Sequence, residues 1–218
     1  MSDSELMRFS VAPPAELVEL GRSAAHLIEA MLRIDADSPG LRDALSAARA
    51  AVDAAAHSID THACREPGLR VHPDQRAPGV RGYFVQSPMI GAHHPLQMPI
   101  EWSHADGLTR GRVRFGVAYE GPPGCVHGGF VAHFFDQILG QHNANVKVPA
   151  MTGTLTVRYR RPVPLERELE FEAKSEPLRG RTLRNQAVLR DADGPLAEVE
   201  GVFVLPKTPL TQYVLRKS

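Results

Sequence analysis

Residues 119–140 read YEGPPGCVHGGFVAHFFDQILG, and the fold turns on how this stretch is taken. From Gly128 on, Phe130, Val131, Phe134, Phe135, Ile138 and Leu139 recur at helical spacing and make a broad apolar surface. A helix over 128–143 follows. A second stripe, Gly129, Ala132, Asp136 and Gly140, falls at intervals of three and four and shares another face. That face is small residues around one carboxylate. Glycine inside a helix costs about 1 kcal/mol relative to alanine, so the stripe predicts close approach of something to it. Asp136 is then a lone acid among apolar neighbours, a setting in which catalytic acids and bases occur. The plain alternative is an exposed aspartate on the polar side of an amphipathic helix.

The preceding turn adds chemistry. Gly121-Pro122-Pro123-Gly124 makes a tight, rigid entry, and His127-Gly128-Gly129 opens the helix. The first N–H groups of a helix lack internal partners, and glycine leaves them unobstructed. With the positive end of the helix dipole they suit a developing oxyanion. Asp136 lies eight residues after Gly128, roughly 12 Å along the axis at 1.5 Å per residue. One small reacting centre cannot use both from the same chain, so the spacing hints at a site shared between two chains.

Outward from the helix the pattern is strand-like. Upstream, short strands are expected at 83–85 and 98–102. A longer one is expected over 110–119, with Val113, Phe115, Val117 and Tyr119 on one face and Arg112 and Arg114 on the other. Downstream, strands are expected over 152–161, 168–176, 181–190 and 196–205. Turn signals at 161–164, 178–180 and 191–194 separate them. One helix followed by an antiparallel meander gives an α+β fold, a curved sheet wrapped around a single long helix.

The first quarter differs. Leu17, Leu20, Ala24, Leu27, Ile28 and Met31 predict a helix over 14–33. Leu41, Ala44, Leu45, Ala48, Ala51, Val52 and Ala55 predict a second, with Ser38 as cap and Pro39 as its first residue. Together they form a helical hairpin extension over residues 1–60, a packing or oligomerisation appendage or a lid. A proline- and glycine-rich linker covers 61–80, the main domain 81–207 and a tail 208–218.

The chain has 25 basic and 25 acidic residues and no net charge, so no overall field favours nucleic acid or an anionic membrane. Two cysteines, Cys64 and Cys125, are too few for a disulfide scaffold. With no signal-like start and no long apolar run, a cytoplasmic protein without membrane attachment is expected.

GPPGCVHGGFVAHFFDQILG, together with Met151-Thr152-Gly153-Thr154-Leu155-Thr156-Val157-Arg158-Tyr159-Arg160-Arg161-Pro162-Val163-Pro164, resembles the hotdog-fold thioesterase superfamily in its PaaI-like branch. The similarity covers about residues 81–207. It implies an acyl-CoA thioesterase, a homodimer with sites at the subunit interface, dimers of dimers being left open, and no metal or redox cofactor. Coenzyme A enters only as part of the substrate. By the resemblance, Asp136 is the base or nucleophile, Gly128 the oxyanion N–H donor from the other subunit, and Thr152 the hydroxyl that helps place water. His127 matches the motif histidine. His94 stands in the loop where many relatives carry Asn-Pro. Gly129 and Ala132 line the substrate face of the helix, and the basic hairpin tip Arg179, Gly180, Arg181 faces the nucleotide phosphates of coenzyme A.

Other readings stay open. Thr152 shares an alternating stripe with Thr154 and Thr156 and is ordinary as a strand residue. His127 is either a general base or a structural residue of the turn. Arg160 or Arg161 could replace the hairpin tip. Cys125 beside His127 does not make a nucleophilic dyad on proximity alone. His127, His133 and His142 lack metal spacing. A hotdog enoyl-CoA hydratase or dehydratase and a non-catalytic acyl-CoA-binding module are the rival functions.

Overall fold

The structure, a computed structural model, describes residues 14–62, 91–146, 148 and 150–207. The expected strand at 83–85, Cys64, the tail, and nearly all of the linker lie outside them. In chain order the elements are α1 (Ala15–Leu32), α2 (Leu41–Asp60), β1 (Ile100–Ala105), β2 (Leu108–Arg114), a 3-10 turn (Val117–Tyr119), α3 (Gly128–Asn145), β3 (Met151–Tyr159), β4 (Glu168–Pro177), β5 (Thr182–Asp191) and β6 (Gly194–Val204). The six strands form one antiparallel sheet in the order β1-β2-β4-β5-β6-β3.

α3 packs against β2, β3, β4 and β5, the hotdog arrangement expected. Phe134, Phe135, Ile138 and Leu139 are fully buried, and each contributes roughly 1.5–3 kcal/mol by leaving water. Phe134 meets Phe115 and Phe171 edge-on at 5.6 and 5.4 Å, which ties the helix to the residue that follows β2 and to β4. Leu169, Phe171 and Ala173 of β4, Leu183, Ala187 and Leu189 of β5, and Leu196, Ala197, Val199 and Phe203 of β6 complete the core.

The meander holds only for β4, β5 and β6. β3 does not pair with β4. It lies at the far edge, beside β6, in the register Met151↔Val204 to Tyr159↔Ala197. The cause is the connection that follows it. Instead of turning back, this segment runs along the 121–126 loop. Val126 N donates to Val163 O at 2.8 Å, and Leu165 N donates to Gly124 O at 3.1 Å. A segment holding Pro162 and Pro164 and bonded there cannot close a tight hairpin.

The strand expected over 110–119 is shorter. It stops at Arg114, and Val117–Tyr119 is a 3-10 turn closed by Tyr119 N on Gly116 O at 3.1 Å. Alternation misled here because Phe115 and Tyr119 are both buried while the backbone between them turns. The turn aims the chain into Gly121–Gly124. Burial, with Glu29 of α1 adding to it, pushes the Tyr119 phenol well above its ordinary pKa.

α1 docks on that 3-10 turn, with Gly21 against the His93 carbonyl where a side chain would not fit. Arg33 and Arg114 both pair with Glu166. α2 starts later than expected. Gly40, at φ 77°, is its N-cap, and the Ser38 side chain makes no capping bond. The left-handed Gly40 separates Ser38 and Pro39 from the helix. α2 buries none of its residues in the described chain, and Leu45, Val52 and Ile59 stay exposed. Among the described residues no helix is long and apolar enough to cross a membrane.

Candidate active site

The start of α3 is held from three directions. Gly121 N donates to Cys125 O and Cys125 N to Pro122 O, both at 2.9 Å. Gly124 takes φ 74° and donates its N–H to Glu120 Oε1 at 2.7 Å. His127 N then donates to Tyr119 O at 2.8 Å. A Cβ on Gly121 would sit 2.7 Å from His127 Cα, so only glycine lets the two ends of this loop approach.

His127 is the N-cap of α3. Its backbone is extended, at φ −61° and ψ 133°, and its Nδ1 accepts from Gly129 N at 3.0 Å. Phe130 N and Val131 N donate to His127 O. Among the described residues, Gly128 N makes no hydrogen bond. The glycine-rich helix start therefore leaves one N–H, that of Gly128, open at the positive end of the helix dipole. His127 therefore caps the helix through Nδ1.

Two turns further on, Asp136 is half-buried on the face it shares with Gly129, Ala132 and Gly140. Thr152 Oγ1 donates to Asp136 Oδ1 at 2.6 Å. The bond depends on a β-bulge. In β3, Thr152 pairs with Phe203 and Thr154 with Val202, leaving Gly153 as an extra residue. The extra residue moves Thr152 off the outward stripe of Thr154 and Thr156. It joins Leu155 and Val157 on the side facing the helix. A Cβ on Gly153 would lie 3.0 Å from Val202 O. The sequence reading placed Thr152 with the outward threonines, and the bulge corrects it.

Tyr159, at the far end of β3, was not singled out from the sequence. Its hydroxyl donates to Gly128 O at 2.7 Å, and a Cβ on Gly128 would stand 3.3 Å from that oxygen. The alternation Leu155, Val157, Tyr159, two apolar residues and then a tyrosine on one face, is the signal that could have found it.

The remaining candidates spread out. His94 sits in a turn where its Nδ1 accepts from Leu96 N at 3.1 Å, and Tyr119 Oη donates to Leu96 O at 2.7 Å. The imidazole serves the loop that lies under the motif. Gly180, at φ 67°, makes the β4–β5 turn, with Arg179 exposed and Arg181 donating to Leu205 O at 2.6 Å. Arg160 pairs with Glu198, and Arg161 makes a two-pronged bond to Asp191. That bond lowers the Asp191 carboxyl below its ordinary pKa. Both arginines are thus committed to carboxylates. Cys125 is a free, half-buried thiol. No group of three or more His, Cys, Asp or Glu among the described residues could hold a metal ion.

At the other end of α3 lies a buried polar cluster that sequence reasoning missed. His142 is fully buried. Its Nδ1 shares a hydrogen bond with Thr109 Oγ1 and its Nε2 one with Ser175 Oγ, each at 3.0 Å. His104 Nδ1 and Asn145 Nδ2 also reach Thr109 Oγ1. Burial, and then the nearby His104, push His142 down to about 4. Asn185 Nδ2 donates to Asn143 Oδ1 at 2.7 Å beside them.

Comparison with known proteins agrees with this geometry. The thioesterase superfamily model matches residues 123–198, which contain α3, the bulge and the β4–β5 turn. Acyl-coenzyme A thioesterase THEM4 of Xenopus laevis is 32% identical over 92 residues, 42% of this chain and 41% of that protein. Its mouse counterpart is 30% identical over 100 residues, 44% of this chain and 43% of the other. The chain therefore spans about two-fifths of the length of the curated relatives it matches. A crystallised thioesterase superfamily protein aligns over 88% of this chain and 96% of its own, at 30% identity and a TM-score of 0.73. At that identity over nearly the whole of the other protein the likeness shows the family, and the chain belongs to the thioesterase superfamily.

Proposed function

We propose that this chain hydrolyses acyl-CoA thioesters to a carboxylate and free coenzyme A, and that it does so as a homodimer. One observation carries the reading. An open Gly128 N–H and a Thr152-bonded Asp136 lie on one helix, too far apart to serve one carbonyl within one chain. A second copy closes the gap. β3 is an edge strand whose residues Met151 and Tyr159 are exposed beside the site, and a second chain can lie there. The name of the curated relatives, acyl-coenzyme A thioesterase, supports the substrate class.

In this mechanism Thr152 occupies Oδ1 of Asp136 and leaves Oδ2 to accept a proton from water. The water oxygen bonds to the thioester carbonyl carbon as its proton passes to Asp136. Charge developing on the carbonyl oxygen is held by Gly128 N–H of the second copy. Collapse breaks the C–S bond, and the thiolate of coenzyme A leaves and is protonated. The acyl group lies along the small face of α3, past Gly129 and Ala132. Exposed Arg179, at the β4–β5 turn, is the side chain best placed to meet phosphate without first giving up a carboxylate.

The test is thiol release over a panel of acyl-CoAs, with loss of enoyl absorbance followed in parallel for a hydratase. Asp136→Asn is expected to lower kcat by roughly 10³-fold or more while the fold and dimer persist. Gly128→Pro isolates the other half. Proline is accepted at the first helical position, and the extended backbone of His127 already suits the residue before a proline. This change removes the N–H and should lower kcat roughly 10²–10³-fold. Mixing the two inactive variants should restore about a quarter of wild-type turnover, because half of the dimers are mixed and each has one intact site. No recovery on mixing rejects the shared site; no thiol release by the wild type rejects the activity.

A further inference from the structure

We infer that Tyr159 is a positioning residue that restrains the Gly128–Gly129 peptide unit and, through the Gly128 Cα, the open Gly128 N–H on the preceding unit, so that β3 controls both halves of the chemistry. The inference rests on the thioesterase reading above. Tyr159 Oη donates to Gly128 O at 2.7 Å. Its ring edge lies against Gly128 as well, since a Cβ there would meet Tyr159 Oη, Cζ and Cε1 at 3.3–3.5 Å. Gly128 has little restraint of its own. It has no side chain, its N–H has no partner among the described residues, and its neighbour Gly129 is equally free of a Cβ. His127 Nδ1 holds the N–H end of the Gly128–Gly129 peptide unit and Tyr159 Oη its carbonyl end, which leaves the Gly128 N–H one φ rotation away from a fixed plane.

An oxyanion donor acts by pointing at the place where charge develops, without reorganising during the reaction. The Tyr159 bond adds to that restraint from outside the helix, by fixing the peptide plane that follows the donor. The same strand, seven residues earlier, holds Asp136 through Thr152. Because Gly153 bulges, Thr152 and Tyr159 face the helix together. β3 thus grips α3 at two points, one at the donor and one at the acid.

The experiment is steady-state thiol release by Tyr159→Phe, which keeps the ring and removes the hydroxyl. Loss of transition-state orientation predicts about a ten-fold lower kcat with KM changed less than about two-fold. An unchanged kcat, or a loss confined to KM, overturns the assignment. A second readout does not need activity. In ¹³C-labelled protein the Gly128 carbonyl signal should move upfield in Tyr159→Phe and stay in place in Asp136→Asn. If the wild type releases no thiol, the functional reading has failed, and the carbonyl signal still decides whether Tyr159 holds Gly128. An unmoved signal in Tyr159→Phe overturns the inference in either case.

Discussion

The two ends of α3 carry one histidine each, and the contrast between them explains how a single helix serves both chemistry and stability. His127, at the N-terminus, is exposed and accepts one hydrogen bond, from Gly129 N. His142, at the C-terminus, is fully buried and both of its ring nitrogens are engaged. The first end keeps an open donor in Gly128. The second has its ring nitrogens saturated by β2 and β4. An open backbone donor is useful only where a ligand can reach it, whereas a buried polar group is tolerable only where it is paired.

The most damaging way to break the comparison is to remove the hydroxyl that the bulge turns toward the helix. Thr152→Ala does so while leaving His142 and its partners untouched. The expected result is a fall in kcat of roughly 10²-fold, since Asp136 loses the hydroxyl that orients it. Near-wild-type turnover in Thr152→Ala would show that the Asp136–Thr152 bond has no part in catalysis. Thermal unfolding of the Thr152→Ala protein should stay close to wild type, because this threonine is exposed in the chain.

The second test acts on the buried end. The folded state holds His142 at about 4, while the unfolded chain binds a proton near the ordinary value of about 6.5. The unfolded state therefore carries more protons between those values. The stabilisation is fully present above about pH 6.5 and is lost as pH falls toward 4. The ceiling on the loss is about 3 kcal/mol at 1.4 kcal/mol per pKa unit. His104, which faces His142 across Thr109, contributes to the depression, so His104→Gln should shrink the effect. Urea unfolding followed from pH 7 to pH 4 reads it, and His142→Gln should flatten the profile. An unaltered slope in His142→Gln would mean that other groups carry the acid sensitivity.

What could be read from the sequence follows the same division between local and distant causes. α3, its apolar face and the stripe around Asp136 were legible, because spacing along one helix needs no knowledge of the rest of the chain. The loop at Gly121–Gly124 was legible for the same reason. The face of Thr152 was not. It depends on whether Gly153 sits in register or bulges against the Val202 carbonyl, which is a matter of β6. The place of β3 at the sheet edge was hidden because strand pairing joins residues far apart in sequence. Tyr119 was assigned to a strand since alternation cannot tell a 3-10 turn with buried ends from extended backbone. His142 was weighed only for metal spacing, because its burial depends on Thr109 and Ser175, which lie on two strands distant in sequence.

The smallest effect is expected at the exposed histidine, and it separates its two roles. His127→Ala removes the acceptor for Gly129 N and should cost about 1 kcal/mol, the usual loss for a helix cap. It also loosens the residue next to Gly128, so kcat should fall, but only by about three- to ten-fold. His127→Asn restores a capping acceptor and should recover the stability together with most of the rate. A general base behaves differently. Its removal would cost roughly 10²–10⁴-fold, asparagine would not replace it, and the acid limb of the kcat/KM profile would disappear. With Nδ1 accepting from Gly129 N, only Nε2 remains to take a proton from water, and a ring held in that way is oriented by its own helix. Recovery by asparagine therefore assigns His127 to the helix start. Failure of that rescue, with the pH limb lost, moves it from the frame of the site into the reaction itself.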